Sequence, residues 1–348
     1  MKLCRRFFLA ALVLPFTLGL SVQFSLGQSD EVAKALSGKT IRIFVGYSAG
    51  GGFDTLTRVV ARHLSKHIPG KPSVIVNNMT GAGGAVALNY VYSRGTPDGL
   101  TWVVSDGALV LSKILGLPGP EFDVDKYPWI GVAQTENQAC MVSTRMGITT
   151  AEQFLRSKTP IRIASTIPGD SVHIRPVIAA EAVGANFKII HGYPGTADMR
   201  LAIQSGDADA ACWGWESMKV TGADMLQRKE ALVILQLGLG RHPDLPNVPN
   251  ILDFPMSNDA KAMWRLVAGP GAIAKLFAAS PGTPAPVLAA LRKGFADAIK
   301  DPELQADAAK SKMTITHTSA EQVTAIVKEM NATPPELKQK VAKAARPG

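Results

Sequence analysis

Ile41-Arg42-Ile43-Phe44-Val45-Gly46-Tyr47-Ser48-Ala49-Gly50-Gly51-Gly52-Phe53-Asp54 decides the fold: an apolar, alternating run breaks into glycines, and a helical run starts from Thr55. The pattern repeats at once. Val74-Ile75-Val76-Asn77-Asn78 leads into Gly81-Ala82-Gly83-Gly84 and a helical run to about Arg94, and the turn Pro97-Asp98-Gly99 opens a strand at Thr101-Trp102-Val103-Val104. Each loop delivers glycine-exposed backbone N–H groups to the start of a helix. There they lack intrahelical partners and sit at the positive end of the dipole, so they suit an anion such as a carboxylate. Neither loop carries a lysine or a set of metal ligands. The pattern reads as capture without chemistry.

The same alternation continues outward. Ile161-Arg162-Ile163-Ala164, the loop Ser165 to Ser171 and a helix from about Val172 to Val183 form a third unit. Phe187-Lys188-Ile189-Ile190, then Gly192-Tyr193-Pro194-Gly195-Thr196 and a helix from Ala197 to Ser205 form a fourth; Gly206 ends that helix and Asp207 to Trp213 returns as a strand. Between the pairs lie a helical stretch near Leu109 to Leu115, the Pro118-Gly119-Pro120 connection, extended segments at Trp129 to Ala133 and Ala139 to Ser143, and a helix capped by Thr150. Two units before residue 100 and two after 160 predict an α/β protein with two similar lobes facing each other. Leu266 to Pro270 is apolar and is expected to cross back to the first lobe. Beyond it come an amphipathic helix from Ala285 to Lys300, another from Asp301-Pro302, and a last one boxed by Ser319 and Gln322.

The ends bound where this happens. Lys2, Arg5 and Arg6 precede an apolar stretch from Phe7 to Val22, broken by Pro15 and Gly19, and Ser25-Leu26-Gly27 offers small residues for cleavage. This is the layout of a secretory signal peptide, too short to span a bilayer. Cys4 lies too early for a lipobox. Removal of residues 1–27 takes the net charge of the 348-residue chain from +9 to +6, because three cationic residues and no acid lie in that stretch. No dense Lys/Arg tract with interleaved aromatics exists, so nucleic acid is not expected. The length suggests two domains. An oxidising compartment permits a bond between Cys140 and Cys212, but their apolar, strand-like surroundings favour two buried free thiols.

Other motifs yield blander readings. Gly46-Tyr47-Ser48-Ala49-Gly50 matches the G-x-S-x-G nucleophile elbow, yet too few residues precede it to build the strands of a hydrolase, and the helix begins only after three more glycines. Gly81-Ala82-Gly83-Gly84 places Val86 where a dinucleotide fingerprint needs its third glycine. Asp54 is expected to cap its helix, or else to orient the glycine loop or meet a ligand. The hydroxyls of Ser165, Thr166 and Ser171 serve either as caps or as carboxylate donors. His173 is expected to be a packed, hydrogen-bonded histidine. The six histidines show no metal-ligand spacing. Trp213 and Trp215 straddle Gly214 and face one side if the strand continues, with one of them available to line a cleft.

Ala49-Gly50-Gly51-x-x-Asp54, Asn78-x-x-Gly81-Ala82-Gly83-Gly84 and Pro97-Asp98-Gly99-x-Thr101 resemble the Bug-type (TctC-like) solute-binding receptors of tripartite tricarboxylate transporters. The likeness continues through Ser165 to His173, Gly192-Tyr193-x-Gly195, Gly206-Asp207-x-Asp209 and Pro281-Gly282-Thr283-Pro284. It implies a two-lobed type II periplasmic-binding fold, each lobe a mixed sheet flanked by helices. Lobe I would comprise residues 38–138 and 268–348, and lobe II residues 139–267. The implied ligand is a small organic carboxylate, a di- or tricarboxylate or an aromatic acid, held in the cleft. By position, Ser48, Ala49, Gly50, Gly51, Gly52, Phe53 and Asp54, with Gly81, Ala82, Gly83, Gly84 and Ala85, inherit the carboxylate-holding role. Ser165, Thr166, Ser171, Gly195 and Thr196 inherit contact with the far end of the ligand, and Trp213 is the aromatic candidate. The resemblance further implies a periplasmic monomer with no enzymatic activity, cofactor or metal, delivering its ligand to a membrane permease; a sensor feeding a signalling partner is the alternative. The chain departs from the family where Gly46-Tyr47-Ser48 replaces a proline, Asn77-Asn78-Met79-Thr80 replaces Glu-Asn-Arg-Pro, and Pro194 replaces a lysine.

Overall fold

The computed structural model describes residues 30–346; the expected signal peptide lies outside them. Strand β1 (Thr40–Val45) alternates buried Ile41, Ile43 and Val45 with more exposed neighbours, as a strand covered chiefly on one face should. It pairs in parallel with β2 (Ser73–Asn78) and β3 (Thr101–Ser105). β4 (Trp129–Val132), β10 (Leu276–Ala279) and the short β11 (Thr318–Ser319) complete the first sheet in the order β11-β4-β10-β3-β1-β2. The second sheet runs β7-β6-β8-β5-β9, from β5 (Gln138–Ser143), β6 (Ile161–Ala164), β7 (Phe187–Ile190), β8 (Ala210–Gly214) and β9 (Ala231–Leu237). In each sheet three parallel strands stand in the order second, first, third. An antiparallel strand (β10 or β5) then closes onto the third.

That shared order places the loops. Every parallel strand ends at the cleft and hands the chain to a helix, so all the glycine loops converge at the carboxyl ends of the strands, where ligand crevices form in such sheets. The helix Gly52–Leu64 buries Phe53, Leu56, Val59, Val60 and Leu64 and turns Arg58 outward. It packs against β2 and against the helices Ala285–Lys300 and Pro302–Lys310. In the second sheet β5 and β8 are enclosed throughout, whereas the edge strand β7 is only half-buried.

Among the described residues, two segments join the sheets, residues 133–137 between β4 and β5 and residues 269–275 leading into β10. They bond to each other through Ala133 N–H to Lys275 O at 3.1 Å, Lys275 N–H to Gln134 O at 3.2 Å and Glu136 N–H to Gly271 O at 2.8 Å. Leu266, expected in the return crossing, instead ends the helix Asn258–Ala268, which packs on the helix Ser171–Val183. The crossing follows at the glycines.

The reading of Cys140 and Cys212 as free thiols is corrected: they form a disulfide with Cα atoms 4.0 Å apart. Antiparallel pairing of β5 with β8 sets these residues directly opposite each other, a register that composition does not reveal. Trp215 also departs from expectation. The strand stops at Gly214, and Trp215 begins the helix Trp215–Thr221 with its indole N–H donating to Asp244 at 2.9 Å.

Two outcomes follow from this packing. The bridge spans a separation of 72 residues, so its removal in Cys140→Ala/Cys212→Ala should lower unfolding free energy by about 2–4 kcal/mol, read by urea denaturation with and without reductant. Gly46 has its would-be Cβ only 2.5 Å from the Gly84 Cα, so the two glycine loops touch backbone to backbone. Gly46→Ala should cost about 1–3 kcal/mol of stability by forcing them apart; an unchanged melting temperature would refute the close approach.

Candidate functional site

The first glycine loop is shaped by one buried carboxylate. Asp54 lies in the first turn of the helix Gly52–Leu64, whose N-cap is Gly51, so Asp54 is not itself the cap. Its oxygens accept from Gly50 N–H, Arg58 Nε and Asn78 Nδ2, each at 2.9 Å. Burial pushes its carboxyl upward, but the bonds from Arg58, Gly50 and Asn78 outweigh that and hold it below its usual value. Asn78 also donates to Tyr47 O at 3.0 Å, which ties the end of β2 to the loop after β1. Tyr47 then stacks on Phe53 with ring centroids 4.2 Å apart.

The lobes meet across these loops. Gly52 N–H donates to the Thr196 hydroxyl at 3.2 Å, so an oxygen from the opposite lobe sits at the helix start where an anion would be favoured. A Cβ on Gly52 would lie 1.8 Å from Ser217 Oγ, and one on Gly195 would lie 2.4 Å from Ser48 Oγ. Gly83 approaches Ile167 and Asp170 just as closely. Ser171 donates its hydroxyl to Asp106, and Ser112 donates to Gly169 O, both across the cleft.

Between the lobes a small cavity of about 20 Å³ remains, room for about one water. Tyr47, Phe53, Val172, Met199 and Trp213 supply its apolar walls, and Thr166, Ser171, Thr196 and Ser217 supply hydroxyls. Asp106, Asp170, Glu136 and Lys275 bring charge to it. Lys275 Nζ lies 2.8 Å from Glu136 Oε2, with the two side chains 2% and 6% exposed, and 3.6 Å from the Phe53 ring centroid. Burial pushes Glu136 upward, but attraction to Lys275 and Arg175 holds its carboxyl below the ordinary range. The aspartates behave in the opposite way. Burial, then repulsion by Glu136, raises Asp106, and burial, then Asp106, raises Asp170 far above a normal carboxyl. Several buried polar atoms find no protein partner: Tyr47 Oη, Ser48 Oγ, Ser165 Oγ, Thr166 Oγ1, Trp213 Nε1 and one guanidinium nitrogen of Arg175. Buried polar groups left unpaired are costly, and three of these, on Tyr47, Thr166 and Trp213, belong to residues that line the cavity.

Of the residues singled out from the sequence, Gly52, Phe53, Thr166, Ser171, Gly195, Thr196 and Trp213 line this cavity. Ser48, Gly51 and Gly83 stand at the lobe contact, and Gly84 lies against the Tyr47 ring. Ser165 is buried one residue before Thr166. Ala49, Gly50 and Ala82 are exposed, Gly81 is half-buried beside Val86, Ala85 belongs to the hydrophobic core, and Asp54 works behind the loop. Ser48 Oγ has no hydrogen-bond partner, hence no base to activate it as a nucleophile. His173 is packed and bonded, to Ala345 O and His191 at 2.9 Å each, and burial lowers its pKa to about 4. Among the described residues two His/Asp/Glu groups converge, around Asp301 and Glu216, but a lysine ammonium already bridges acids in each, at 2.6 and 3.0 Å respectively.

Sequence reasoning missed Tyr47, Asp106, Glu136, Asp170 and Lys275. Two of these left a signal. Asp106 and Asp170 both follow a parallel strand and cap the next helix, accepting from Ala108 N–H at 2.9 Å and His173 N–H at 3.1 Å. Any such cap belongs at the cleft end of its sheet. Glu136 and Lys275 lie on the crossings, and only tertiary pairing brings them together.

No protein-family model matches the chain. The UPF0065 protein in the tcbD-tcbE intergenic region of Pseudomonas sp. (strain P51) is 26% identical over 225 residues, covering 63% of this chain and 64% of that protein. The chain thus matches just under two thirds of that relative's length. Among solved structures, the periplasmic binding protein BugD superposes with a TM-score of 0.71 at 20% identity, over 88% of this chain and 97% of BugD. MatC of Rhodopseudomonas palustris, solved with bound malate, gives 0.69 at 18% identity, over 87% and 99% of the two chains. With two mixed sheets and near-complete overlap with BugD, the chain has the two-lobed fold of the Bug-type periplasmic binding proteins.

Proposed function

We propose that this chain is an extracytoplasmic receptor that captures a small organic carboxylate between its lobes and delivers it to a membrane permease. The observation that carries this reading is the trio of unpaired, buried polar atoms on Tyr47, Thr166 and Trp213, all lining one interlobe cavity, beside a helix start whose Gly52 N–H already donates to an oxygen of the opposite lobe. Such an arrangement recognises an acid by donors and dipoles and offers no group to transform it. The basic n-region and apolar stretch before Gly27 support export to the periplasm. The likeness to BugD and to malate-bound MatC supports a solute-binding role.

Binding and lobe motion are coupled in this reading. As the lobes stand, the space between them is far smaller than a dicarboxylate, so entry requires them to part. A ligand that then touches both lobes shifts the equilibrium back toward closure. Each charge-assisted hydrogen bond is worth about 1.5–3 kcal/mol before ordering costs. Several of them suffice for micromolar affinity, about −8 kcal/mol. A monomer is enough, because both walls of the cleft come from one chain.

The direct test is thermal unfolding of residues 28–348 against carboxylates, after refolding to strip any carried-over ligand. A ligand at 100 times its Kd should stabilise the protein by about 2.7 kcal/mol; a well-folded protein indifferent to every acid would sink the proposal. Closure has its own test at Gly195, whose extended backbone any residue adopts. Gly195→Leu should prop the lobes apart at Ser48 and weaken binding by about 10- to 100-fold, some 1.4–2.8 kcal/mol, while the melting temperature of the free protein stays put. Unchanged affinity, measured calorimetrically, would show that the lobes need not meet there.

A further inference from the structure

We infer that the ligand is a zwitterion: a small carboxylic acid that also carries an ammonium group, the ammonium being received by Asp106 and Asp170. This rests on the receptor reading above and narrows its ligand class.

The charge lining the cavity is the first ground. Three acids with buried side chains, Asp106, Glu136 and Asp170, face it with one ammonium, Lys275. Lys275 is committed to Glu136 at 2.8 Å. The buried Arg175 guanidinium stands behind the same crossing, beside Glu136 and Gly271. With both cations counted, the walls still hold more carboxyl groups than cations in a site nearly closed to water. A ligand bearing carboxylates alone would meet acids on every side. One bearing an ammonium would let Asp106 and Asp170 ionise against it.

The second ground is position. Asp170 Oδ2 lies 2.9 Å from where a Cβ on Gly83 would stand, so the protein's own carboxylate abuts the second glycine loop. The anion that this loop invites is therefore partly supplied from within. Asp106, on the opposite lobe, receives the Ser171 hydroxyl, and Ser171 directly follows Asp170. The two aspartates thus approach each other from facing lobes. An ammonium between them would be gripped from both sides, leaving the ligand carboxylate for the first loop, Thr196 and Lys275.

The third ground is independent of charge. Trp213 Nε1 and Thr166 Oγ1 are unpartnered, their residues 1% and 3% exposed, and both residues line this cavity. Unpaired donors of this kind await a ligand acceptor. The elevated pKa of both aspartates fits the same picture: burial dominates each shift, and repulsion by Glu136 at Asp106 and by Asp106 at Asp170 adds to it in a way that a nearby cation would relieve.

The test is binding of matched pairs that differ only by the amine: L-aspartate with succinate, L-glutamate with glutarate, and 4-aminobutyrate with butyrate. The protein used is residues 28–348 freed of carried-over ligand, with binding read by thermal shift and calorimetry. The amine-bearing member of at least one pair should bind about 10- to 100-fold more tightly than its partner. Asp170→Asn and Asp106→Asn should erase most of that preference, because asparagine caps a helix as well as aspartate does but carries no charge. A merely capping role would leave the preference untouched in both variants, and that result overturns the inference. Tighter binding of the amine-free members also overturns it while leaving the carboxylate receptor standing. Binding of neither member of any pair, nor of any other carboxylate, overturns both.

Discussion

The ion pair between Glu136 and Lys275 is the constraint on which the rest of the molecule depends. Two lobes of similar build are joined by two short crossings, and each crossing contributes one partner. Both groups are almost fully withdrawn from water. A buried pair of this kind adds little net stability, yet loss of either partner strands a charge at a cost of about 3–5 kcal/mol. Its worth here is geometric. It fixes the crossings side by side and holds Lys275 over Phe53, which stacks on Tyr47. From Tyr47 the order passes through Asn78 to Asp54 and so to the glycine loop itself. The pivot and the cleft share one chain of contacts.

Much of the architecture was legible in the sequence because it is local. A strand, a glycine loop and a helix each leave a periodic mark, and four such units in order determine which ends of the strands face the cleft. The glycines at positions 52, 83 and 195 were legible for a related reason: a close approach tolerates no side chain. What escaped is non-local. Cys140 and Cys212 read as ordinary buried residues until the register of β5 on β8 is known. Glu136 and Lys275 lie 139 residues apart and have no shared motif. Leu266 looked like part of an extended crossing because a short apolar run does not distinguish a strand from the end of a buried helix. Asp54 was half legible: its place at the helix start was plain, but its part in organising the loop depended on Arg58 and on Asn78 from the neighbouring strand.

The charge pattern separates this cleft from a simple anion trap. A modest positive balance over the whole chain invites an acid from a distance, since long-range attraction depends on net charge. Inside, the balance reverses, with carboxylates outnumbering cations. In the proposed receptor, approach and recognition fall to different groups: the surface sets how often acids arrive, and Asp106 and Asp170 which of them stay.

The bridge between Cys140 and Cys212 has a mechanical meaning. β5 emerges directly from the first crossing, and the bridge welds it to β8, whose end carries Trp213 into the cavity. The strand that leaves the pivot and the strand that touches the cavity thus move as one stiff lever. In the proposed receptor, a push on the indole would be conveyed to the pivot without slippage between strands, and the second lobe would swing as a solid body. The redox state of one bond would then set the stiffness of the arm through which occupancy becomes motion.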